Sequence, residues 1–384
     1  MTSVAVIGGG IAGAVTAMAL RKAGLDPVVY EAYPTGADDI GAFLTIMNNG
    51  LDALHAVGAR AAVVDASFPG RTVEVFDGTG TRLSALPLGG AAGHANSPRT
   101  LTRADLYRAL HDEAARRDIR IEHGKRLTTA GAGPDGRVTA EFADGTGVEA
   151  DLLVGADGIH SAVRSLIDPA NPGPRYTGLN IVYGYTAGKT AASAPEGYHM
   201  IQGGKAFFGF TTAPDGRSWW FARLPRPELD RAEISAHTPE DWRRLTIPFF
   251  AGDDTPSAEL IEATGDDIVG GNAYDVPSTP VWQHGSMVLV GDAAHAASPA
   301  AGQGASMAIE DSVELGRCLR DLPDLGEACR AYELLRRGRV ERLVAASAEQ
   351  GARSAGTGGR EWLYQHHIDW DAPVAPAEIA DTPS

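Results

Sequence analysis

Cysteine is nearly absent from this sequence: Cys318 and Cys329 are the only two in 384 residues. Both stand in stretches of helical spacing and form no CxxC, so a disulfide framework is excluded and a reducing cytoplasm is the expected compartment. Long apolar runs are missing too. None approaches the roughly 18 residues of a bilayer-spanning helix, and Val4-Ala5-Val6-Ile7 is too short for the core of a secretory leader. Positive charge is scarce: 33 Lys and Arg face 49 Asp and Glu, a formal net charge of −16. That balance argues against a nucleic-acid partner and against stable docking on anionic membranes. Glycine, by contrast, is plentiful at 47 residues, and its placement carries the argument.

The first 30 residues read as a βαβ unit. Val4–Ile7 is a short continuous apolar run, as expected of a strand buried on both faces. Glycines follow, then an Ala-rich helix stopped by Gly24, then a second strand from Pro27 to Glu31. From Arg71 the texture becomes antiparallel, with a hairpin over 71–86. Thr102 is a candidate N-cap for a helix running to Arg117. Residues 121–150 read as a β-meander, and Leu152–Val154 as another buried strand. The stretch from Pro172 to Pro280 is aromatic and turn-rich, with Phe207–Thr212 and Trp219–Leu224 its clearest strands. Met287–Val290 restores the parallel-strand signature, and long helices follow over about 304–319 and 327–349. The expected fold class is α/β: a Rossmann-type nucleotide-binding domain (1–70, 98–172 and 278–355), an inserted β-rich substrate domain (71–97 and 173–277), C-terminal helices and a loose tail over 371–384.

Three motifs sit at strand ends. Gly8-x-Gly10-x-x-Gly13 follows the first strand and opens the first helix, which presents free N–H groups to a pyrophosphate. Glu31 ends the second strand, where a carboxylate can meet a ribose 2′-hydroxyl. Gly131-x-Gly133-x-x-Gly136 matches the same pattern but leads into a strand, and reads as a hairpin loop. Leu289-Val-Gly291-Asp292 is followed by Pro299 and by Gly302-Gln303-Gly304, which opens a helix whose N-terminus is partly positive. Gly155-Ala-Asp157-Gly158 ends the Leu152–Val154 strand, where open α/β sheets hold ligands.

With Gly41-Ala-Phe-Leu-Thr45 and Tyr332-Glu333-x-x-Arg336-x-x-Arg339, these motifs resemble the class A flavoprotein monooxygenases, the para-hydroxybenzoate hydroxylase-like family, over about Val4 to Ser347. The resemblance implies a GR2-like FAD-binding fold and a single-component enzyme. NAD(P)H would reduce FAD, and one atom of O2 would reach a small aromatic or conjugated substrate through a flavin C4a-hydroperoxide. It implies that Gly8, Gly10, Ala12 and Gly13 hold the pyrophosphate and Glu31 the adenosine ribose. Arg103 would contact FAD, the Leu127 backbone would meet adenine, and Asp157 would belong to a segment serving FAD and NAD(P)H. Asp292 would bind the ribityl chain, and Gly302, Gly304 and Ala305 would face the isoalloxazine. The thioredoxin-like C-terminal domain of phenol hydroxylase-type members is not expected.

Such chemistry belongs to the cofactor and needs no protein nucleophile, so the remaining candidates are positioning groups. Alternation along the strand puts Trp219, Phe221 and Arg223 on one face and Trp220 on the other. Arg223 could then hold an anionic oxygen, or be a surface residue beside sheet core. His295 could relay protons or serve a structural hydrogen bond. His366-His367 is not expected to bind metal, because adjacent side chains in a strand diverge. The motifs leave open NADH or NADPH, and hydroxylation, epoxidation or Baeyer–Villiger insertion. An oxidase or dehydrogenase on the same fold and a non-catalytic FAD-binding module remain alternatives. A halogenase is disfavoured, since Trp242 to Pro248 lacks the second tryptophan and the spacing of that class.

Overall fold

The apolar run Val4–Ile7 lies inside a six-stranded sheet in the computed structural model, which describes residues 1–35, 42–90, 97–133, 136–189, 196–297, 302–352 and 361–374. Strand Ser3–Ile7 pairs in parallel with Asp26–Tyr30 on one side and Leu152–Gly155 on the other. Met287–Leu289 and Arg120–Glu122 extend the sheet in parallel, and Gln283–His284 closes one edge antiparallel. Helix Ile11–Lys22 packs on the first two strands, and Ala162–Ile167 on Leu152–Gly155 and Met287–Leu289. The meander Leu127–Ala132, Val138–Phe142 and Gly147–Ala150 joins the same core, with Phe142 stacked on Tyr30 at 4.9 Å. Of the glycine match at 131–136, Gly131 lies in strand Leu127–Ala132, antiparallel to Val138–Phe142, and Gly133 N–H donates to the Arg137 carbonyl at 2.6 Å, while residues 134 and 135 lie outside the described ones. It is a hairpin.

A second, seven-stranded sheet is built from two separate pieces of chain. Its order is Thr264–Asp275, Arg175–Lys189, Arg217–Pro225, Phe207–Thr212, Gly197–Gln202, Thr72–Asp77 and Arg82–Pro87. The hairpin of the first piece joins the second through a parallel pairing of Thr72–Asp77 with Gly197–Gln202. Alternation divides the sheet as expected. Trp220, Ala222 and Leu224 pack with Phe208, Phe210, Trp242, Phe250 and Ile261, and the indole N–H of Trp220 donates to Thr264 Oγ1 at 2.8 Å. Full burial of each such large apolar side chain stabilises by about 1.5–3 kcal/mol. Trp219, Tyr185 and Tyr198 occupy the opposite face and meet Phe43 and Phe68. Those two phenylalanines come from a small sheet of Phe43–Ile46, Arg99–Thr102 and Phe68–Pro69, so this face is the seam between the two large sheets.

Helices Gly304–Asp321 and Leu325–Ala352 complete the molecule on the side of the first sheet. Cys318 and Cys329 are both buried there, and burial pushes both thiols up, to about 12 for Cys329; such thiols are unreactive. The stretch expected as a tail from Asp371 begins docked rather than loose. Trp370 lies under Lys22 and Arg320, Val374 N–H donates to Asp321 at 2.8 Å, and the Ala372 carbonyl accepts from Arg317 and Arg320. The buried indole anchors these residues, an effect invisible to periodicity; residues 375–384 lie outside the described ones. No helix among the described residues is long and apolar enough to cross a membrane.

Candidate functional site

The glycine turn is dictated by contact. Gly8 has φ +100°, and a Cβ there would lie 2.5 Å from the Ala156 carbonyl oxygen. A Cβ on Gly13 would lie 1.8 Å from the Gly8 carbonyl oxygen, so the helix can approach the strand only without one. Gly10 caps the helix from extended backbone with no side-chain hydrogen bond. A Cβ there would meet nothing within 4 Å. A helix start leaves its first-turn N–H groups without intrahelical partners, the arrangement that binds an anion. Behind the turn, Glu31 is buried and accepts from Gly9 N–H at 2.6 Å and Tyr33 N–H at 2.8 Å. His111 Nε2 stands 2.6 Å from the Gly9 carbonyl.

The second strand end is brought to the first by helix packing. Ser312 Oγ donates to the Ala12 carbonyl at 3.0 Å and pairs with Thr16 Oγ1 at 2.9 Å. A Cβ on Gly316 would sit 2.8 Å from that of Ala19. Helices Ile11–Lys22 and Gly304–Asp321 thus cross closely, fixing the distance between the glycine turn and the Gly302–Gly304 segment. Gly302 adopts φ +60°, and a Cβ on Gly304 would lie 3.8 Å from Asp292 Oδ1. Ala305 is partly buried in the first turn of that helix. Asp292 accepts no hydrogen bond among the described residues; burial pushes its carboxyl up, opposed by His295 and Arg103. Gln303 is buried with an unpartnered Nε2, and the helix it precedes has no side-chain cap. Pro299 and Gly41 lie outside the described residues.

Arg103 opens helix Arg103–Arg116, whose N-cap is Thr102, accepting from Asp105 N–H at 3.0 Å. Its side chain is exposed and close enough to Asp292 and Tyr183 to affect the ionisation of both. Leu127 is buried at the start of its strand. The carboxylate of Asp157 caps helix Ala162–Ile167, taking Ala162 N–H at 2.7 Å, Val163 N–H at 3.1 Å and Ser161 Oγ–H at 2.5 Å. The reason is its place two residues past a strand and just ahead of a helix with unmet N–H groups. Arg164, fully buried, donates to the Ala293 and Ile159 carbonyls and ties this segment to the Asp292 turn.

His295 also takes the structural alternative. Its Nε2 meets Asp311 in a buried ionic network. Asp311 accepts Gly291 N–H at 3.0 Å and Arg336 Nε at 2.7 Å. Glu310 takes Arg336 at 2.7 Å, Arg339 at 2.8 Å and the Asn49 amide at 2.6 Å. Burial alone would push both carboxyls up; the arginines, with His295 for Asp311, overcome it and hold each at about 2. Arg336 and Arg339 of the Tyr-Glu-x-x-Arg-x-x-Arg segment brace the strand end that carries Asp292. Two adjacent acids in a helix buried all round already ask for such cations. His366 and His367 part company, at 3.9 Å from Glu310 and 2.9 Å from Asp52. No cluster of metal-ligating side chains occurs among the described residues.

At the seam, Phe43 stands against Tyr183, Trp219 and Phe221 at 6.1, 5.7 and 6.1 Å between ring centres. Trp219, Tyr185 and Tyr198 are buried, whereas Tyr183, Phe207, Phe221, Met200 and Arg223 keep part of their surface open. The result is an aromatic shelf beside Arg103.

Open helix N-termini at two strand ends and an unpartnered carboxylate between them suit an extended dinucleotide, and an adjoining aromatic shelf completes a flavoenzyme. The comparisons give the family. The FAD binding domain model matches residues 1–347, and the chain belongs to that family as a class A flavoprotein monooxygenase with FAD as its cofactor. It is 31% identical over 358 residues to aurachin C monooxygenase/isomerase of Stigmatella aurantiaca, covering 91% of this chain and 88% of that protein. It is 33% identical to 3-amino-4-hydroxybenzoate 2-monooxygenase PtnB3 of Streptomyces platensis, covering 91% and 87%. Among solved structures, Klebsiella pneumoniae HpxO complexed with FAD and uric acid matches with TM-score 0.81 at 28% identity, over 95% of this chain and 92% of that one.

Proposed function

We propose that this enzyme consumes NAD(P)H and O2 to insert one oxygen atom into a small aromatic or conjugated molecule lying on the seam shelf. The observation that carries the reading is the juxtaposition of that shelf with the Arg103–Asp292 end of the FAD cradle. FAD, when bound, supplies the electron transfer and oxygen activation. The chain's residues bind, orient and exclude water. Gly8, Gly10, Ala12 and Gly13 would take the pyrophosphate, Glu31 the ribose, and Leu127 the adenine end. Asp292 would accept from the ribityl hydroxyls, Gly302, Gly304 and Ala305 would border the ring, and Arg103 would add positive charge. Asp157 acts indirectly, by holding its loop. Phe43, Tyr183 and Phe221 would press a flat substrate into place and keep the reacting region dry, which limits wasteful loss of activated oxygen as H2O2.

The names of two relatives, an aminohydroxybenzoate monooxygenase and a urate hydroxylase, support a planar substrate. A small-molecule partner and a cytoplasmic setting complete the reading. The experiment is a screen of purified flavoprotein for compounds that stimulate NAD(P)H oxidation and appear with one added oxygen by mass. Stimulated oxidation with stoichiometric H2O2 and no oxygenated product would replace the monooxygenase reading by an oxidase.

A further inference from the structure

The peptide unit between Gly9 and Gly10 cannot be held in place by glycine itself. With no Cβ on either side, such a unit turns over at little steric cost. Its two neighbours are fixed by other groups. Glu31 Oε2 takes Gly9 N–H at 2.6 Å in the unit before, and Ala14 N–H donates to the Gly10 carbonyl at 3.0 Å in the unit after. The middle unit is held by His111, whose Nε2 lies 2.6 Å from the Gly9 carbonyl. A carbonyl oxygen only accepts, so Nε2 carries the hydrogen and donates it.

His111 reaches the turn from helix Arg103–Arg116, which packs against helix Ile11–Lys22. Its ring is stacked on buried Tyr107, one helical turn earlier, with 3.7 Å between ring centres and 29° between planes. A Cβ on Gly9 would meet Glu31 Oε2 at 3.0 Å and His111 Cε1 at 3.4 Å, so acid and imidazole close around one glycine. The peptide is trans, and a trans unit sets its C=O and N–H on opposite sides. Drawing the Gly9 carbonyl to His111 therefore turns the Gly10 N–H the other way, at the start of helix Ile11–Lys22. A flipped unit would exchange the two groups and add a carbonyl oxygen where a helix start offers donors to an anion. We infer that His111 is a positioning residue for the FAD pyrophosphate, its Nε2–H keeping the Gly9–Gly10 peptide turned with N–H rather than C=O to the phosphates. The inference rests on the proposed placement of the pyrophosphate at the glycine turn.

The test measures FAD affinity of apoprotein by flavin fluorescence in wild type, His111→Leu and His111→Gln. ADP serves as a competitor that has the pyrophosphate and lacks the flavin. Melting temperature of each apoprotein verifies that it is folded. His111→Leu keeps bulk beside Tyr107 but has no donor, and should weaken FAD and ADP alike by about 10- to 100-fold, the size of a lost hydrogen bond to a charged group. His111→Gln, whose amide can donate to the same carbonyl, should recover most of that affinity. The flavin midpoint potential should stay at the wild-type value, because oxidised and reduced FAD share the pyrophosphate. The inference is overturned if folded His111→Leu binds FAD as wild type does, or if the leucine and glutamine variants lose affinity equally. A loss for FAD without one for ADP, or a shifted potential, would overturn it too. Gly13→Ala separates this from failure of the cradle reading. If it also leaves FAD and ADP affinity unchanged, the glycine turn is not the pyrophosphate site; if it alone weakens both, only the role of His111 falls.

Discussion

Replacing Arg336 by methionine probes the brace behind the flavin cradle. Arg336 is 1% exposed and donates to two fully buried carboxylates, Glu310 and Asp311. Removing one member of a buried ionic group costs about 3–5 kcal/mol because the remaining charges lose their compensation. Arg339 and Asn49 still serve Glu310, and His295 and Gly291 N–H still serve Asp311, so the lower end of that range is expected. The pH dependence has a definite sign. Both carboxyls titrate at about 2 when folded, below the roughly 4 of unfolded Asp and Glu. Their contribution is therefore present above pH ~4 and lost as the pH falls towards 2. In Arg336→Met the folded values rise, and acid unfolding should begin at higher pH. Urea unfolding at neutral pH and acid titration followed by flavin release measure both effects. A midpoint within error of wild type in both assays would refute the account of the network; Arg336→Lys should recover part of the loss.

Three further outcomes follow from single contacts. Gly13→Ala places a Cβ 1.8 Å from the Gly8 carbonyl oxygen; overpacking of this kind costs about 1–3 kcal/mol or more. Purified variant should lose FAD on desalting, and full retention would show that the turn can open without harm. Asp292→Ala should weaken FAD binding by about 10- to 100-fold, from lost hydrogen bonds to a charged acceptor, measured by flavin fluorescence against apoprotein; unchanged affinity would remove Asp292 from the site. His366 is held down to about 4 by burial, with Glu310 opposing, so its neutral form suits the fold. That contribution is complete above pH ~6.5 and disappears as the pH falls towards 4. Limited proteolysis should cut the Glu361–Val374 region more readily at pH 5 than at pH 7.5, and His366→Gln should narrow the difference.

The parts of this molecule that local physics governs were legible from residues alone. Val4–Ile7 and Met287–Leu289 are buried parallel strands ending at the glycine turn and the Asp292 turn, and their apolar runs say so. The division of Trp219, Phe221 and Arg223 from Trp220 also followed from alternation. Other elements were not visible. Thr264–Asp275 is a 12-residue strand that reads as a string of turns, because it contains Gly270 and Gly271. A Cβ on Gly270 would lie 2.5 Å from the Trp242 ring, so that glycine marks a helix pressed on the strand rather than a bend. Phe43–Ile46 is only four residues long and depends on Arg99–Thr102 for its pairing, beyond the reach of any local pattern. The contacts of Asp157 and His295 were out of reach for a related reason. Motif position says which turn a side chain occupies; the partners that claim its polar atoms come from helices far along the chain.

The two-piece construction of the aromatic sheet has a consequence for synthesis. Hairpin Thr72–Pro87 leaves the ribosome long before Gly197–Gln202, the strand that receives it, and contacts of such separation form late. The nascent chain must shelter an unpaired edge until residues near Gln202 emerge. The Asp292 turn and the helix from Gly304 come later still, so the aromatic shelf is fully translated before the second half of the proposed flavin cradle exists. On the proposed site, FAD would be loaded at the end of biogenesis, and a product truncated before Met287 would have an aromatic shelf with no flavin to face.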